Sequence, residues 1–297
     1  MLFRSDGGVW GTDPDGTWAT DRAGALARLE HFVEHVLPVF GPHEDAMLAG
    51  NWHLAHSMLS PYLNNGLLMP SDVCDAVQWA YDNGRIPIAS AEGFVRQIIG
   101  WREYVNGLYW MWMPGYLEKN ELGAVRPLPR AFTDPSSTRM RCVSLCAGAV
   151  QERGWAHHIQ RLMVLGNWAL LAGVDPVQIN DWFLELFADA FDWVVTPNVM
   201  GMSQYADPGF TTKPYVAGGA YIDRMSDHCR GCAYDPHRAM GPTACPFTTL
   251  YWDFVDRHAP LLAGNPRTGT VVAAWRRRAP ADRAAILARA EIGRAHV

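Results

Sequence analysis

Residues 155–176 read WAHHIQRLMVLGNWALLAGVDP, and this stretch decides the fold. Leu162, Met163, Val164, Leu165, Trp168, Leu170 and Leu171 fill nearly every side of its later turns, which predicts one long helix buried all round. Gly173 stops it, and Asp175-Pro176 starts another: Asp is a good N-cap, and Pro needs no amide donor at the first helical position. His157, His158 and Arg161 stand at the head of this apolar segment, and spacings of three and four place them on one helical face. A buried guanidinium needs an anion, and adjacent imidazoles need partners. Two readings follow: a hydrogen-bonded polar cluster in the core, or the wall of a pocket for a polar cofactor or substrate.

The flanking chain keeps the helical period. Leu26, Leu29, Phe32, Val33 and Val36 space a helix over 20–36, with Thr20 as cap and Pro38 to Pro42 as stop. HLAHSMLSPYLNNGLL (53–68) is a short polar and aromatic segment punctuated by Pro61 and Asn65-Gly66. Ser71 caps a helix ending at Asn83-Gly84, and Ser90 opens another that ends before Pro114-Gly115. Residues 115–140 are Pro-rich and irregular up to the central helix. Beyond it, 176–192 reads as helix and 195–220 as a long connection. Short helices are expected over 246–259, 265–277 and 280–290. No run alternates with the two-residue period of a strand, and no repeat is visible. The expected class is all-α, without a βαβ unit to hold a dinucleotide in the Rossmann manner.

With 297 residues, 49% of them hydrophobic and 19% charged, the chain can bury a large core and is not disordered. A net charge of -5 gives no global pull toward nucleic acid, so phosphate contacts would need a local basic face. No apolar run reaches 18 residues and no signal peptide is visible, so no membrane association and a cytoplasmic location are expected. The Gly- and Asp-rich residues 1–19 read as a linker remnant and 20–291 as one helical domain. The tail 292–297, IGRAHV, resembles the translation of a sequencing adapter and is set aside.

Cys229-Arg230-Gly231-Cys232 followed by Cys245-Pro246 gives C-x2-C-x12-C-P. Two thiolates three residues apart can share a metal centre, and a third returns after a loop. The fourth ligand must come from a distance, from Cys142 or Cys146; Cys74 sits in a helix and reads as core. The spacing fits structural zinc, with His228 and His237 at hand. It fits a 4Fe-4S cluster equally well.

HSMLSPYLNNGLL, RQIIGWREYVNGLYW, WAHHIQRLMVLGNWALLAGVDP, FADAFDW followed by PNVMGMSQYAD, and DHCRGCAYDP followed by CPF resemble the iron–sulfur bacterial cryptochromes and photolyases, also called the prokaryotic (6-4) photolyases. The match runs in order from Thr20 to Trp275. The resemblance implies an all-helical FAD-binding domain with a 4Fe-4S cluster, acting on UV-damaged DNA as a monomer when full length. It implies a lumazine antenna as well, expected only in an N-terminal α/β domain that is missing here.

By the same resemblance, His56, Ser57, Leu59 and Ser60 lie where the FAD phosphates are received, polar groups at a helix start being a suitable anion site. Gln97, Trp101 and Arg102 would lie along the flavin and lesion pocket, with Trp101 able to stack on a displaced base. His158 matches the histidine placed at a (6-4) lesion to move a proton, with His157 beside it. Arg161 would pair with the acidic helix that follows, through Asp189, and Asp189 and Asp192 would hold the flavin. Trp182 matches a tryptophan on the photoreducing electron path; the next position is Phe183, where the family can carry a redox-active tyrosine. Tyr215 and Tyr221 would face DNA or the electron path. The TRMRC context selects Cys142, with Cys229, Cys232 and Cys245, as cluster ligands. The implied activity is light-dependent electron transfer to (6-4) photoproducts, a lyase-type repair. The rivals are a photoreceptor without repair, a light-independent iron–sulfur DNA-binding module and a structural zinc protein.

Overall fold

The computed structural model describes residues 10–13 and 15–295, with side chains through 291. Residues 1–9 and 14 of the linker stretch and 296–297 of the tail lie outside the described residues. Thirteen helical segments carry the described chain: α1 (22–43), α2 (Ser60–Asn64), α3 (Pro70–Asp82), α4 (88–112), α5 (Arg141–Arg153), α6 (158–172), α7 (Pro176–Leu186), α8 (192–203), α9 (Gly219–Met225), α10 (Pro246–Arg257), α11 (Ala259–Ala263), α12 (Gly269–Arg276) and α13 (Pro280–Ala295). Only isolated bridges, and no strand, occur among the described residues. Among the described residues no helix is long and apolar enough to cross a membrane.

The central helix is α6, and Val164, Leu165, Trp168, Ala169 and Leu171 are fully buried in it. Burying each such Leu or Val contributes about 1.5–3 kcal/mol, so this one helix anchors much of the core. Gly173 caps it in the left-handed region at φ 76, and Asp175 accepts from the Val177 amide to start α7. Its start is later than the periodicity implies. Trp155 and Ala156 lie outside any helix, and His157, in extended backbone, is the N-cap. The three polar groups therefore do not share one helical face.

Other departures have local causes. Asp21, not Thr20, caps α1, which runs on through Pro38 to His43, because Pro38 falls in the first turn after a widened stretch at Phe32–Val36. Pro70 takes the first position of α3, so Ser71 lies inside the helix. Helix α5 arises in a stretch left unassigned between the Pro-rich region and Trp155, and Gly154 ends it at φ 61. Residues 192–203 form α8, so 195–203 is helix rather than connection, and Asp189 sits in the turn before it rather than on a helix. Widened π turns also occur at Arg96–Arg102, Arg161–Gly166 and Asn198–Ser203. Such turns gather at functional sites, and the first two carry Gln97, Trp101, Arg102 and Arg161.

Two apolar clusters make the interior. The smaller joins α1 to α4 around Phe32, Phe40 and Phe94, whose ring centroids lie 4.6–6.4 Å apart, and includes Leu59, Tyr62 and Leu63 of the α2 region. The larger surrounds α6 and takes in Ile159, Leu162, Trp182 and Phe187. Over residues 10–19 the chain is strapped to the body: Trp10 Nε1 donates to the Thr133 carbonyl (2.6 Å), Trp18 Nε1 to that of Arg153 (3.1 Å), and the Ala19 amide to the Tyr62 hydroxyl (3.0 Å). Gly166 lets α6 approach α8, since a Cβ there would collide with Ser203 Oγ.

Candidate functional site

The seam between the two apolar clusters is polar. Arg161, in the first widened turn of α6, donates through both terminal nitrogens to Asp189, at 2.9 and 2.8 Å. Its Nε donates to the Ala156 carbonyl at 2.5 Å, and its guanidinium lies over the rings of Phe187 (4.4 Å) and Trp155 (5.7 Å). From the other cluster, Ser60 Oγ donates to Asp189 Oδ2 (2.6 Å) and Asn64 Nδ2 to the Asp189 carbonyl (2.9 Å). The Asp189 side chain is only 5% exposed, so a charge-assisted bidentate pair joins the halves where solvent barely reaches.

Beside it the rings of His56 and His157 stack at 4.1 Å and 11°. His56 lies between two residues in left-handed backbone, Leu54 at φ 42 and Met58 at φ 57. That conformation costs a non-glycine residue roughly 1–2 kcal/mol, so the surrounding structure must impose it. His56 Nε2 and both ring nitrogens of His157 are buried without a hydrogen-bond partner. Unmet capacity of this kind, next to a buried ion pair, fits a polar cofactor that would complete it.

His158 is exposed at the head of α6. Desolvation by the neighbouring protein, with the Arg161 cation second, lowers its pKa to about 4. Burial lowers His56 to about 3 and pushes His157 further below the histidine range, neighbouring His158 and Arg161 adding to both. A histidine whose folded pKa is depressed favours folding above its unfolded pKa, about 6.5, and loses that contribution as pH falls. His56 and His157 are thus expected to cost the fold about 3 kcal/mol between pH 6.5 and 5. Thermal melts should show the midpoint falling over that range, less steeply in His56→Gln; a flat profile would refute the assignment.

The remaining pocket candidates divide. Trp182 is fully buried, donates to the Phe132 carbonyl (3.1 Å), and meets Phe187 edge-on at 5.4 Å, one ring away from Arg161. Its other ring neighbours are Phe132 and Phe183. Arg102 lies over Trp193 at 4.7 Å and donates to the Leu63 carbonyl (3.3 Å), with its Nε buried and unpartnered. Asp192 turns away from Arg161 and accepts from Tyr109 and Thr196 instead. The Ser57 hydroxyl accepts from the Leu59 amide (3.3 Å), and the Leu59 side chain is fully buried. Gln97 is exposed and bonds back to Gly93, Trp101 packs on Tyr104 at 5.9 Å, and Tyr215 lies half-buried against the larger core. Among the described residues, no hydrogen bond or ring contact joins these three to the histidines. Sequence reasoning passed over Asn64, Trp155 and Phe187; only Trp155, inside the opening stretch, carried a signal.

A second centre lies at the start of α10. Cys142, Cys229, Cys232 and Cys245 line one cavity, closed by apolar groups that include Met140, Ile222 and Phe247, with His228 in the same wall. Cys146, one turn beyond Cys142, is fully buried and is not part of that wall. His237 is exposed and paired with Asp223. Gly219 lets the chain close on the cavity, since a Cβ there would lie 2.8 Å from Cys245 Sγ. Burial pushes Cys142 well above the thiol range, with Cys245, Cys146, Cys229 and Cys232 adding to it, and raises Cys229 to about 12. Burial raises Cys245 too, and thiols gathered in this way require a cation before they can ionise together. Among the described residues no three His, Cys, Asp or Glu side chains close on one point as the ligands of a single ion do.

Over 261 residues the chain is 48% identical to the (6-4) photolyase of Agrobacterium fabrum, covering 88% of this chain and 51% of that protein. The chain belongs to the photolyase/cryptochrome family. It spans about half the length of that photolyase. An uncharacterized protein of Acanthamoeba polyphaga mimivirus is 38% identical over 94 residues, 31% of this chain and 69% of its own. Among solved structures, a bacterial class III photolyase from Agrobacterium tumefaciens matches with TM-score 0.56 and 22% identity, over 75% of this chain and 48% of that one. A Synechocystis cryptochrome matches with TM-score 0.53 and 17% identity, over 63% and 40%. The helical architecture of this family is therefore the fold of the chain. No family model matches the sequence.

Proposed function

We propose that this chain binds FAD at the seam and a 4Fe-4S cluster in the cysteine cavity, and serves in light-dependent repair of (6-4) photoproducts in DNA. The observation that carries the reading is the Arg161–Asp189 pair set beside the His56–His157 stack, with unpartnered ring nitrogens, in a photolyase-family chain. Bound there, the flavin would supply the electron on illumination. Asp189 holds Arg161 in place, so that a fixed positive charge faces the pocket at no reorganisation cost. His158 carries the proton at a ring nitrogen, and His157, fixed as the N-cap of α6, sets where that ring stands. Arg102 is positioned by Trp193 to meet a phosphate or a base edge. Trp101 offers a stacking face to a nucleotide turned out of the duplex. Trp182 stands one ring from Arg161 and would pass an electron toward the pocket.

The protein loaded with FAD should restore a synthetic (6-4) oligonucleotide under blue light and not in the dark. Light-driven reduction of the flavin without repair would favour a photoreceptor, and a protein that takes up iron but no flavin would favour a light-independent module.

The cavity supports a cluster over zinc because a zinc ion needs four donors about 2.3 Å from one point, whereas a cube of iron and sulfide is held by thiolates set wider. Purified protein should contain about four irons per chain. Cys229→Ser and Cys245→Ser are expected to lose most of that iron, and Cys146→Ser to keep it, by metal analysis. Zinc in place of iron, or retention in both variants, would overturn the assignment.

A further inference from the structure

The net charge of -5 conceals a basic corner. Between Arg257 and Glu291 the chain carries seven arginines, no lysine and two carboxylates, Asp282 and Glu291. Arg276 ends α12, Arg277 follows it, and both are exposed, as is Arg267 in the loop before α12.

Elsewhere in this chain several surface arginines are paired with carboxylates, whereas among the described residues Arg85, Arg126 and Arg230 are exposed without one, so what marks the corner is its density of arginines. Arg22 pairs with Asp72, Arg130 with Asp134, Arg153 with Glu152 and Arg238 with Asp235. Arg267, Arg276 and Arg277 have no carboxylate partner among the described residues, although the chain holds 30 acidic residues. Proximity to the C-terminal end of a helix dipole favours Arg276 and the C-cap Arg277 but not Arg267. The corner is also rigid. The guanidinium of Arg278 lies over Trp252 at 4.2 Å, Trp252 stacks on Trp275 at 5.7 Å and 17°, and Trp275 Nε1 donates to Asp256 at 2.6 Å. Unpaired charges on a braced frame lose little freedom when they meet an anion.

We propose that this arginine corner docks the phosphate backbone of duplex DNA, as a second contact separate from the lesion pocket. The inference rests on DNA being the partner of the chain. It adds that Arg267, Arg276 and Arg277 supply sequence-independent affinity while the pocket supplies lesion choice. Trp252 lies two turns along α10 from Cys245, so the corner belongs to the layer that closes the cysteine cavity.

The test is fluorescence anisotropy of an undamaged duplex titrated with the full chain from about 50 to 200 mM salt. Arg276→Ala/Arg277→Ala should bind about 10-fold more weakly at 0.1 M salt, with a salt slope shallower by about 2. Arg22→Ala/Arg130→Ala removes the same charge on other faces and should stay within about 3-fold of the parent. Parental affinity and slope in the first variant, or equal losses in both, would overturn the proposal. So would loss of binding to anionic phosphatidylserine vesicles with duplex binding intact. Lesion repair is read separately, on a single-stranded (6-4) oligonucleotide: if the parent fails there, the repair reading falls, while the duplex titration still decides the corner.

Discussion

His158→Ala is expected to lower photorepair of a (6-4) oligonucleotide by at least about 100-fold while FAD stays bound, because a positioned general acid–base group is worth roughly 10²–10⁴ in rate. FAD should stay because the proposed anchors are the Arg161–Asp189 pair and the buried histidine stack, whereas the His158 side chain is exposed. The pH profile offers a sharper check. With its pKa near 4, His158 is neutral at pH 7, and its protonated fraction rises about tenfold for each unit the pH falls toward that value. Repair at saturating DNA should therefore quicken from pH 8.5 to 6.5, above the range in which the buried histidines weaken the fold. His158→Ala should lose that dependence along with the rate. A variant repairing at the parental rate, with flavin absorbance unchanged, removes His158 from the mechanism.

Asp189→Ala is expected to destabilise the protein by about 3–5 kcal/mol, since it strands a guanidinium that is mostly buried. It also removes the acceptor of Ser60 Oγ, which together with Asn64 ties the α2 region to the α6 side of the seam. For a chain of this size the melting temperature should drop by about 10 °C. FAD retention should fall with it. Asp189→Asn should lose less, because the amide oxygen still accepts from Arg161. In Arg161→Ala/Asp189→Ala the loss should be smaller than the sum of the single losses, as expected for two residues that act on each other. A melt of Asp189→Ala within about 2 °C of the parent would show that the pair carries little of the fold's stability.

The segment 155–176 announced a buried helix because apolar residues on every side leave no solvated face, and Gly173 and Asp175-Pro176 mark its end by backbone chemistry alone. The helical class was legible for the same reason. The cysteine spacing singled out a metal-type motif, and the TRMRC context brought in Cys142, since chain-local patterns survive folding. Helix α5 escaped because its cap is only a glycine after a modest apolar stripe. The exact start of α6 escaped because its N-cap is His157, not one of the usual Ser, Thr, Asp or Asn caps that mark a start in the sequence.

What tertiary structure alone decided is which groups meet. Ser60, 129 residues from Asp189, spends its hydroxyl on that carboxylate, and Asp192, three residues beyond, goes to Tyr109 and Thr196 instead. His56 and His157 stack although a hundred residues separate them. Periodicity and capping are properties of neighbours along the chain, so they can be read from it directly. Convergence of polar groups depends on how two apolar clusters close on each other, and a single turn of helix moves a side chain by 100°.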